Sequence, residues 1–279
     1  MHDLTIAAVS MTSLVGDKPA NLARMDHLLS RAAAARVELV CFPELAVTGY
    51  SLHPDLLREA EPIPGPSTDH LLGMARRYNL AVVAGLVERG PLNHHFVSQV
   101  VVSPTGSLAV YRKTHLSPME QRLFTPGDEL QTAAVSDVIY GILLCYEGHF
   151  PELSTIYALQ GAEVLLVPHA SPGEAPPDRL ARWLRYLPAR AYDNSVFLVA
   201  LNQSGDNHNG LIFPGVAFIL DPKGRILAEW TGYGDHILTA ELKAETFLAV
   251  RKQTMGYFLP RRRADMYHPI QSAALPPQK

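Results

Sequence analysis

The sequence predicts an α/β layered fold built from mixed β-sheets, on the basis of three observations. Short apolar, β-branched segments alternate along the chain with segments of helical periodicity. Turn sequences at residues 104–106 (Pro-Thr-Gly) and 221–224 (Asp-Pro-Lys-Gly) join consecutive strands, which indicates antiparallel hairpins. Most of the strands are apolar on both faces, so both faces of each sheet are expected to be covered. The hairpins argue against a Rossmann domain or a (β/α)8 barrel.

The elements follow from periodicity and turn signals in chain order. In the first helix, Leu22, Met25, Leu29 and Ala32 recur at helical spacing. Strands are predicted over residues 4–9, 37–42, 80–87, 97–103, 108–112, 139–145, 164–167 and 196–201. Helices are predicted over residues 20–35, 67–78, 150–161 and 177–194.

Composition and charge exclude several classes of protein. Of the 279 residues, 47% are hydrophobic and 18% are charged, which is typical of a soluble globular protein. A net charge of −3 gives no global electrostatic reason to bind nucleic acid or a membrane surface. The N-terminal residues lack a basic segment ahead of a long apolar one, so a cytoplasmic location is predicted. Residues 1–271 are expected to form a single domain, and the Pro- and Ala-rich residues 272–279 a flexible tail.

Two cysteines are too few for a disulfide framework, and their spacing does not indicate a zinc site. Cys145 ends an apolar segment and precedes a turn at Gly148 and a helix opened by Pro151. At such a junction a nucleophile is exposed, and the following N–H groups can face a developing oxyanion. Taken alone, a small buried hydrophobe is the commoner role for a free cysteine. Cys41 lies within an apolar segment and is predicted to be a core residue.

A thiol of pKa ~8.5 needs a base or a cation beside it to react at neutral pH. Two other strand ends offer such groups. Glu44 follows the predicted strand 37–42, and Lys113 follows the strand 108–112. Singly, each is more simply a solvated surface charge.

Together, the three strand ends resemble the nitrilase or carbon–nitrogen hydrolase superfamily. The resemblance rests on Phe-Pro-Glu ending at Glu44, on Tyr-Arg-Lys-Thr-His-Leu containing Lys113, and on Cys-Tyr-Glu-Gly-His-Phe-Pro-Glu beginning at Cys145. It extends to Glu120 with the following Phe-Thr-Pro-Gly, and it covers nearly the whole chain. The resemblance implies a four-layer αββα sandwich with two mixed β-sheets.

The resemblance also implies the chemistry. Cys145 would be the nucleophile, Glu44 the general base, and Lys113 the cation that stabilises the tetrahedral intermediate together with the Tyr146 N–H. Glu120 would be a second carboxylate that orients Lys113 or the substrate nitrogen. The implied reaction is hydrolysis of a non-peptide carbon–nitrogen bond in a small amide through a thioester, releasing ammonia or an amine. No metal or organic cofactor is expected. The resemblance also implies that the protein forms a homodimer or a higher homo-oligomer.

Substrate-binding residues are predicted at Tyr50, Tyr146, His149 and His169. His149 stands where family members that act on dicarboxylate amides carry an arginine, so a neutral amide is favoured. Glu147 replaces the more usual aspartate, which is expected to matter little because the charge is kept. Two alternatives remain open. One is a nitrile hydrolase with the same Glu-Lys-Cys triad, and the other is a catalytically silent interaction module, which the intact triad disfavours.

Overall fold

The computed structural model describes residues 1–267 and residue 270, so the predicted tail at 272–279 lies outside the described residues. In the described part of the chain the strands are β1 (Leu4–Ser10), β2 (Leu39–Cys41), β3 (Ala81–Arg89), β4 (His95–Val102), β5 (Leu108–Arg112), β6 (Ala133–Val135), β7 (Val138–Ile142), β8 (Val164–His169), β9 (Phe197–Asn202), β10 (Gly205–Asp206), β11 (Ile212–Phe213), β12 (Gly215–Leu220), β13 (Ile226–Gly232) and β14 (His236–Leu242). The helices are α1 (Lys18–Ala34), α2 (Pro66–Tyr78), α3 (Pro151–Leu159), α4 (Pro176–Trp183), α5 (Leu187–Asn194) and α6 (Ala244–Arg251).

Two six-stranded sheets form the centre of the fold. The first has the order β14-β1-β2-β3-β4-β5 and the second β13-β12-β9-β8-β7-β6. In each sheet three central strands are parallel, namely β1 to β3 in the first and β7 to β9 in the second, and the outer strands add antiparallel pairs. Both sheets are therefore mixed, as predicted.

Side-chain alternation along the first sheet separates two buried layers. Ile6 and Ala8 in β1 face the second sheet, while Ala7 and Val9 face helices α1 and α2. Asp17 starts α1, since its Oδ1 accepts the Ala20 N–H at 3.0 Å. Helices α3 and α5 pack on the second sheet. The layers are thus helix, sheet, sheet and helix, which confirms the four-layer αββα sandwich.

The structure corrects some of the predicted boundaries. The single helix predicted over 177–194 is wrong, because the segment forms α4 and α5 with a break between them. Pro188 accounts for the break, because its ring would clash with the carbonyl of the preceding helical turn and it has no N–H to donate. The hairpin predicted at residues 221–224 joins β12 to β13, although the bounds of these two strands were not predicted. Helix α6 and strands β6, β10, β11 and β14 were not predicted, and the half-exposed β14 lacks a long apolar segment. Among the described residues, none of the helices combines the length and the apolar character needed to cross a bilayer.

Candidate active site

Three charged side chains meet in the buried space between the two sheets. Lys113, directly after β5, places its Nζ 2.7 Å from Oε1 of Glu44, which lies just beyond β2. The same Nζ lies 2.8 and 3.1 Å from the two carboxylate oxygens of Glu120. All three side chains are buried. The structure therefore brings together three of the residues that the sequence predicted.

Close backbone packing fixes Glu44. The next residue, Leu45, has a left-handed φ of 52°. A Cβ at Gly85 would lie 2.3 Å from the Leu45 nitrogen, so the β2 segment can approach β3 this closely only at a glycine. The Glu44 carbonyl accepts a hydrogen bond from Gln203 Nε2 at 2.8 Å, and its Oε2 accepts the Ala170 N–H at 3.0 Å. Both oxygens of the Glu44 carboxylate are thus held in place.

Cys145 follows β7 and begins a one-turn 3₁₀-helix, Cys145–His149, that leads into α3. Its φ is 49°, a left-handed conformation that is strained for a residue with a side chain. The N–H of Tyr146 lies in the first turn of this helix, where N–H groups have no partner within the helix. The predicted strand-to-helix junction is therefore present, although β7 ends at Ile142 and not at Cys145.

The charges change the titration of Glu44 and Lys113. Burial raises the pKa of Glu44 to about 7, and the negative charge of Glu120 adds to this effect while Lys113 opposes it. Burial would lower the pKa of Lys113, but Glu44 and Glu120 outweigh it and hold that pKa well above its ordinary value. Lys113 is consequently a permanent cation, and Glu44 is a carboxylate that can exchange a proton near neutral pH.

The Cys145 thiol is neutral in the resting site. Burial and the charge of Glu44 raise its pKa, whereas Lys113 and the Ala170 N–H lower it. Because the net direction is upward, the thiol must lose its proton to a base as it attacks. The Ala170 N–H contacts the Glu44 carboxylate and also acts on the thiol, and sequence reasoning missed this backbone group because no side chain signals it.

The predicted substrate-binding residues lie at different depths. Tyr50 is buried edge-on against Phe213, and burial followed by the charges of Glu120 and Glu44 raises the pKa of its hydroxyl. Tyr146 is half-buried and lines a cavity of about 540 Å³. His149 is exposed and stacks on Tyr186, with ring centroids 4.3 Å apart. Burial raises the pKa of Tyr186. Its ring packs against Gly148, where a Cβ would lie 3.4 Å from Tyr186 Cε2, so this residue, missed by the sequence analysis, lies beside the turn that follows the nucleophile.

His169 is buried and stacks on Trp183, with ring centroids 3.8 Å apart. Its Nδ1 donates to the Val167 carbonyl at 2.7 Å, since a carbonyl can only accept. Burial lowers the pKa of His169 to about 3, so the ring is neutral. Its Nε2 is a buried acceptor with no hydrogen-bond partner in the described part of the chain.

Cys41 lies apart from this chemistry, buried in β2 within the core between the sheets. Burial raises the pKa of its thiol, and no charged group contributes to that shift. The predicted core role of Cys41 is confirmed. Within residues 1–267 and 270, no cluster of three or more His, Cys, Asp or Glu side chains could hold a metal ion.

Comparison with known proteins shows which family shares this arrangement. The model of the carbon–nitrogen hydrolase family matches residues 5–252. The chain belongs to the carbon–nitrogen hydrolase family. This membership confirms the resemblance that the three motifs indicated.

Amidases are among the similar carbon–nitrogen hydrolases. An (R)-stereoselective amidase of Pseudomonas sp is 34% identical over 260 residues, covering 93% of this chain and 92% of the amidase. An omega-amidase of Mus musculus is 28% identical over 276 residues, covering 95% and 96% of the two chains. A variant of an amidase from Nesterenkonia sp. AN1, with acrylamide added to its active-site cysteine, has a TM-score of 0.78 at 25% identity and covers 96% and 99%. The prediction of an amidohydrolase is confirmed.

Proposed function

We propose that this carbon–nitrogen hydrolase cleaves a small amide through a thioester on Cys145. The observation that carries the proposal is the buried contact of Lys113 with Glu44 and Glu120 beside the Cys145 thiol. Glu44 takes the thiol proton as Sγ attacks the amide carbon. Lys113 and the Tyr146 N–H stabilise the oxyanion, a type of contact typically worth ~3–4 kcal/mol per donor.

Glu44 then returns the proton to the leaving nitrogen, so that the C–N bond breaks and ammonia or an amine departs. A water molecule deprotonated by Glu44 attacks the thioester, and collapse of the second intermediate releases the acid and restores the thiol. Glu120 keeps Lys113 in place throughout, since both of its carboxylate oxygens contact the ammonium. A pKa of about 7 suits Glu44 to both directions of proton transfer.

The proposed substrate is a neutral amide. His149 carries little positive charge, because the protein around its ring partly desolvates it and lowers its pKa, and the nearby Arg190 and Arg182 lower that pKa further. Arg179 is already engaged, since its guanidinium donates to Ser171 Oγ at 2.6 Å and to the Pro172 carbonyl at 2.7 Å. Arg182 pairs with Glu174, and Arg190 donates to the carbonyls of Gly148 and His149 at 3.1 Å. A substrate carboxylate would therefore have to compete with hydrogen bonds that these guanidinium groups already make. Tyr50, Tyr146 and the free Nε2 of His169 are proposed to contact the substrate.

A shared acyl-enzyme is tested by trapping with hydroxylamine. Two amides with the same acyl group and different leaving amines should give the same ratio of hydroxamate to acid, because both form one thioester. A ratio that changes with the leaving amine contradicts the thioester. Sedimentation of the full chain tests a homodimer, which is proposed from the family resemblance alone. The cytoplasmic location stays a prediction.

A further inference from the structure

One buried carboxylate outside the triad connects the two catalytic segments. Glu147 Oε1 accepts hydrogen bonds from the Thr114 N–H at 2.8 Å, the Thr114 hydroxyl at 2.7 Å and the His115 N–H at 3.1 Å. It also accepts from the Tyr111 hydroxyl at 2.7 Å, and Oε2 accepts the Leu144 N–H at 2.7 Å. All five donors are neutral N–H or O–H groups.

These donors lie directly beside the reactive residues in the chain. Thr114 follows Lys113, and Leu144 precedes Cys145. Thr114 follows β5 at the edge of the first sheet, and Leu144 follows β7 in the second sheet. Glu147 therefore joins the backbone that carries Lys113 to the backbone that carries Cys145.

Glu147 also encloses the strained residue. Its own N–H donates to the Leu144 carbonyl at 3.0 Å, while its side chain accepts the Leu144 N–H. These two bonds close a loop around Cys145, whose φ is 49°. A strained backbone conformation persists only where surrounding contacts over-determine it. The Glu147 side chain supplies one such contact and the Glu147 backbone N–H supplies the other, both to the residue that precedes Cys145.

We infer that Glu147 is a positioning residue, which fixes the distance and orientation of Cys145 relative to Lys113. The inference rests on the proposed roles of those two residues. It goes beyond the charge that Glu147 shares with the more usual aspartate, because the side chain accepts hydrogen bonds through both oxygens. Small displacements of reacting groups, of ~1 Å, can cost ~100-fold in rate.

Glu147→Gln tests the inference with almost no change in shape. The amide has one acceptor oxygen, so its NH2 group must face either the Leu144 N–H or the donors around Thr114. Glu163→Gln is the matched control, since the buried Glu163 accepts the Ile139 N–H at 3.2 Å and pairs with the Met1 amine at 2.8 Å. Glu163 lies at the start of β8, whereas Ala170 at the site follows the end of that strand.

The turnover number kcat is measured per titrated Cys145 thiol, and KM and Tm are measured on the same preparations. Glu147→Gln is expected to lower kcat by ~10–100-fold with KM within ~2-fold, because the damage is to reacting geometry. Glu163→Gln should lower Tm and leave kcat within ~2-fold. Glu147→Asp, which keeps both acceptor oxygens on a shorter chain, should recover part of the loss.

Equal kcat for the two glutamine variants, or a loss confined to KM, overturns the inference. If Glu147→Gln does not fold, Thr114→Val takes its place, because it removes only the hydroxyl donor. A loss in kcat smaller than that expected for Glu147→Gln, at constant KM, supports the inference. An unchanged kcat contradicts it. Cys145→Ala is assayed in parallel. Activity in that variant would reject the proposed function, whereas the Glu147 comparison rejects only the positioning role.

Discussion

Lys113 Nζ lies 2.7 Å from Glu44 Oε1, and both side chains are buried. Glu120 contacts the same ammonium, so one cation is shared by two carboxylates. The excess negative charge and the burial together raise the pKa of Glu44 to about 7 although a lysine is in direct contact. This relationship gives the site a fixed cation and a proton carrier at the same time.

The pH dependence follows from the raised pKa of Glu44. Glu44 acts as a base only when ionised, so activity should be lost as the pH falls through about 7. Below that point kcat/KM is expected to fall ~10-fold per pH unit, since it reports the free enzyme. The measurement is kcat/KM between pH 5 and 9.

Glu120→Gln serves as the test of the cause. Removing the Glu120 charge removes one of the contributions that raise the pKa of Glu44, so the acid limb should move to lower pH. An acid limb that stays in place in this variant would assign the pH dependence to another group.

Replacement of Lys113 should remove transition-state stabilisation and also stability. Lys113→Met is expected to lower kcat by at least ~100-fold. It should also lower Tm, because Glu44 and Glu120 would remain buried without their cation. Lys113→Arg keeps the charge but should not restore kcat, since a planar guanidinium does not fit the position of a compact ammonium.

The half-buried Lys18 provides the control for Lys113. It pairs with Glu61 at 3.2 Å, and it is part of α1 on the outer face of the first sheet. Lys18→Met should leave kcat unchanged. If Lys113→Met kept kcat near the wild-type value, Lys113 would have no role in the reaction.

Substrate preference should follow from the neutral pocket. A neutral aliphatic or aromatic amide is expected to exceed a dicarboxylate omega-amide of similar size by at least ~10-fold in kcat/KM, or about 1.4 kcal/mol. The reason is that a second carboxylate would be bound without a cation. His149→Arg should reduce this difference in kcat/KM between the two amides, because it supplies a permanent positive charge at the exposed position 149. Steady-state assays in which the dicarboxylate amide is preferred by the unmodified enzyme contradict this proposal.

Nitriles should be poorer substrates than amides of the same acyl group. The thioimidate formed from a nitrile places nitrogen where an amide places oxygen, and Lys113 with the Tyr146 N–H suits an oxyanion. The measurement is kcat/KM for a matched pair of nitrile and amide. A nitrile that reacts faster than its amide would favour the nitrilase alternative.

The sequence predicted the residues of the site better than the links between them. Glu44, Lys113 and Cys145 each follow a strand and lie inside a short local motif, so they can be recognised from the sequence alone. Their contacts join residues far apart in the chain, with 69 positions between Lys113 and Glu44 and 126 between Glu44 and Ala170. Such contacts depend on the packing of two sheets. The Ala170 N–H could not be predicted, because a backbone donor carries no residue signature.

Elements with mixed burial were predicted only in part. The turn at residues 221–224 indicated the β12–β13 hairpin, whereas the half-exposed β14, whose register comes from pairing with β1, carries no comparable signal. The break between α4 and α5 was missed although Pro188 stands at that point, because the apolar periodicity continues across it. Glu147 was compared with the usual aspartate by its charge, whereas the five hydrogen bonds that its side chain accepts form only in the folded chain.

The most direct test of the central proposal compares the two cysteines of the chain. Ammonia release is measured for Cys145→Ala and Cys41→Ala, and brief iodoacetamide treatment of the unmodified protein is followed by mass spectrometry of the labelled peptides. Cys145→Ala should abolish turnover and Cys145 should carry the label, because the partly exposed Cys145 shares the Ala170 N–H with Glu44 and lies in the field of Lys113, while Cys41 is buried in the core. Full activity in Cys145→Ala, or labelling of Cys41 in its place, would contradict the assignment of the nucleophile.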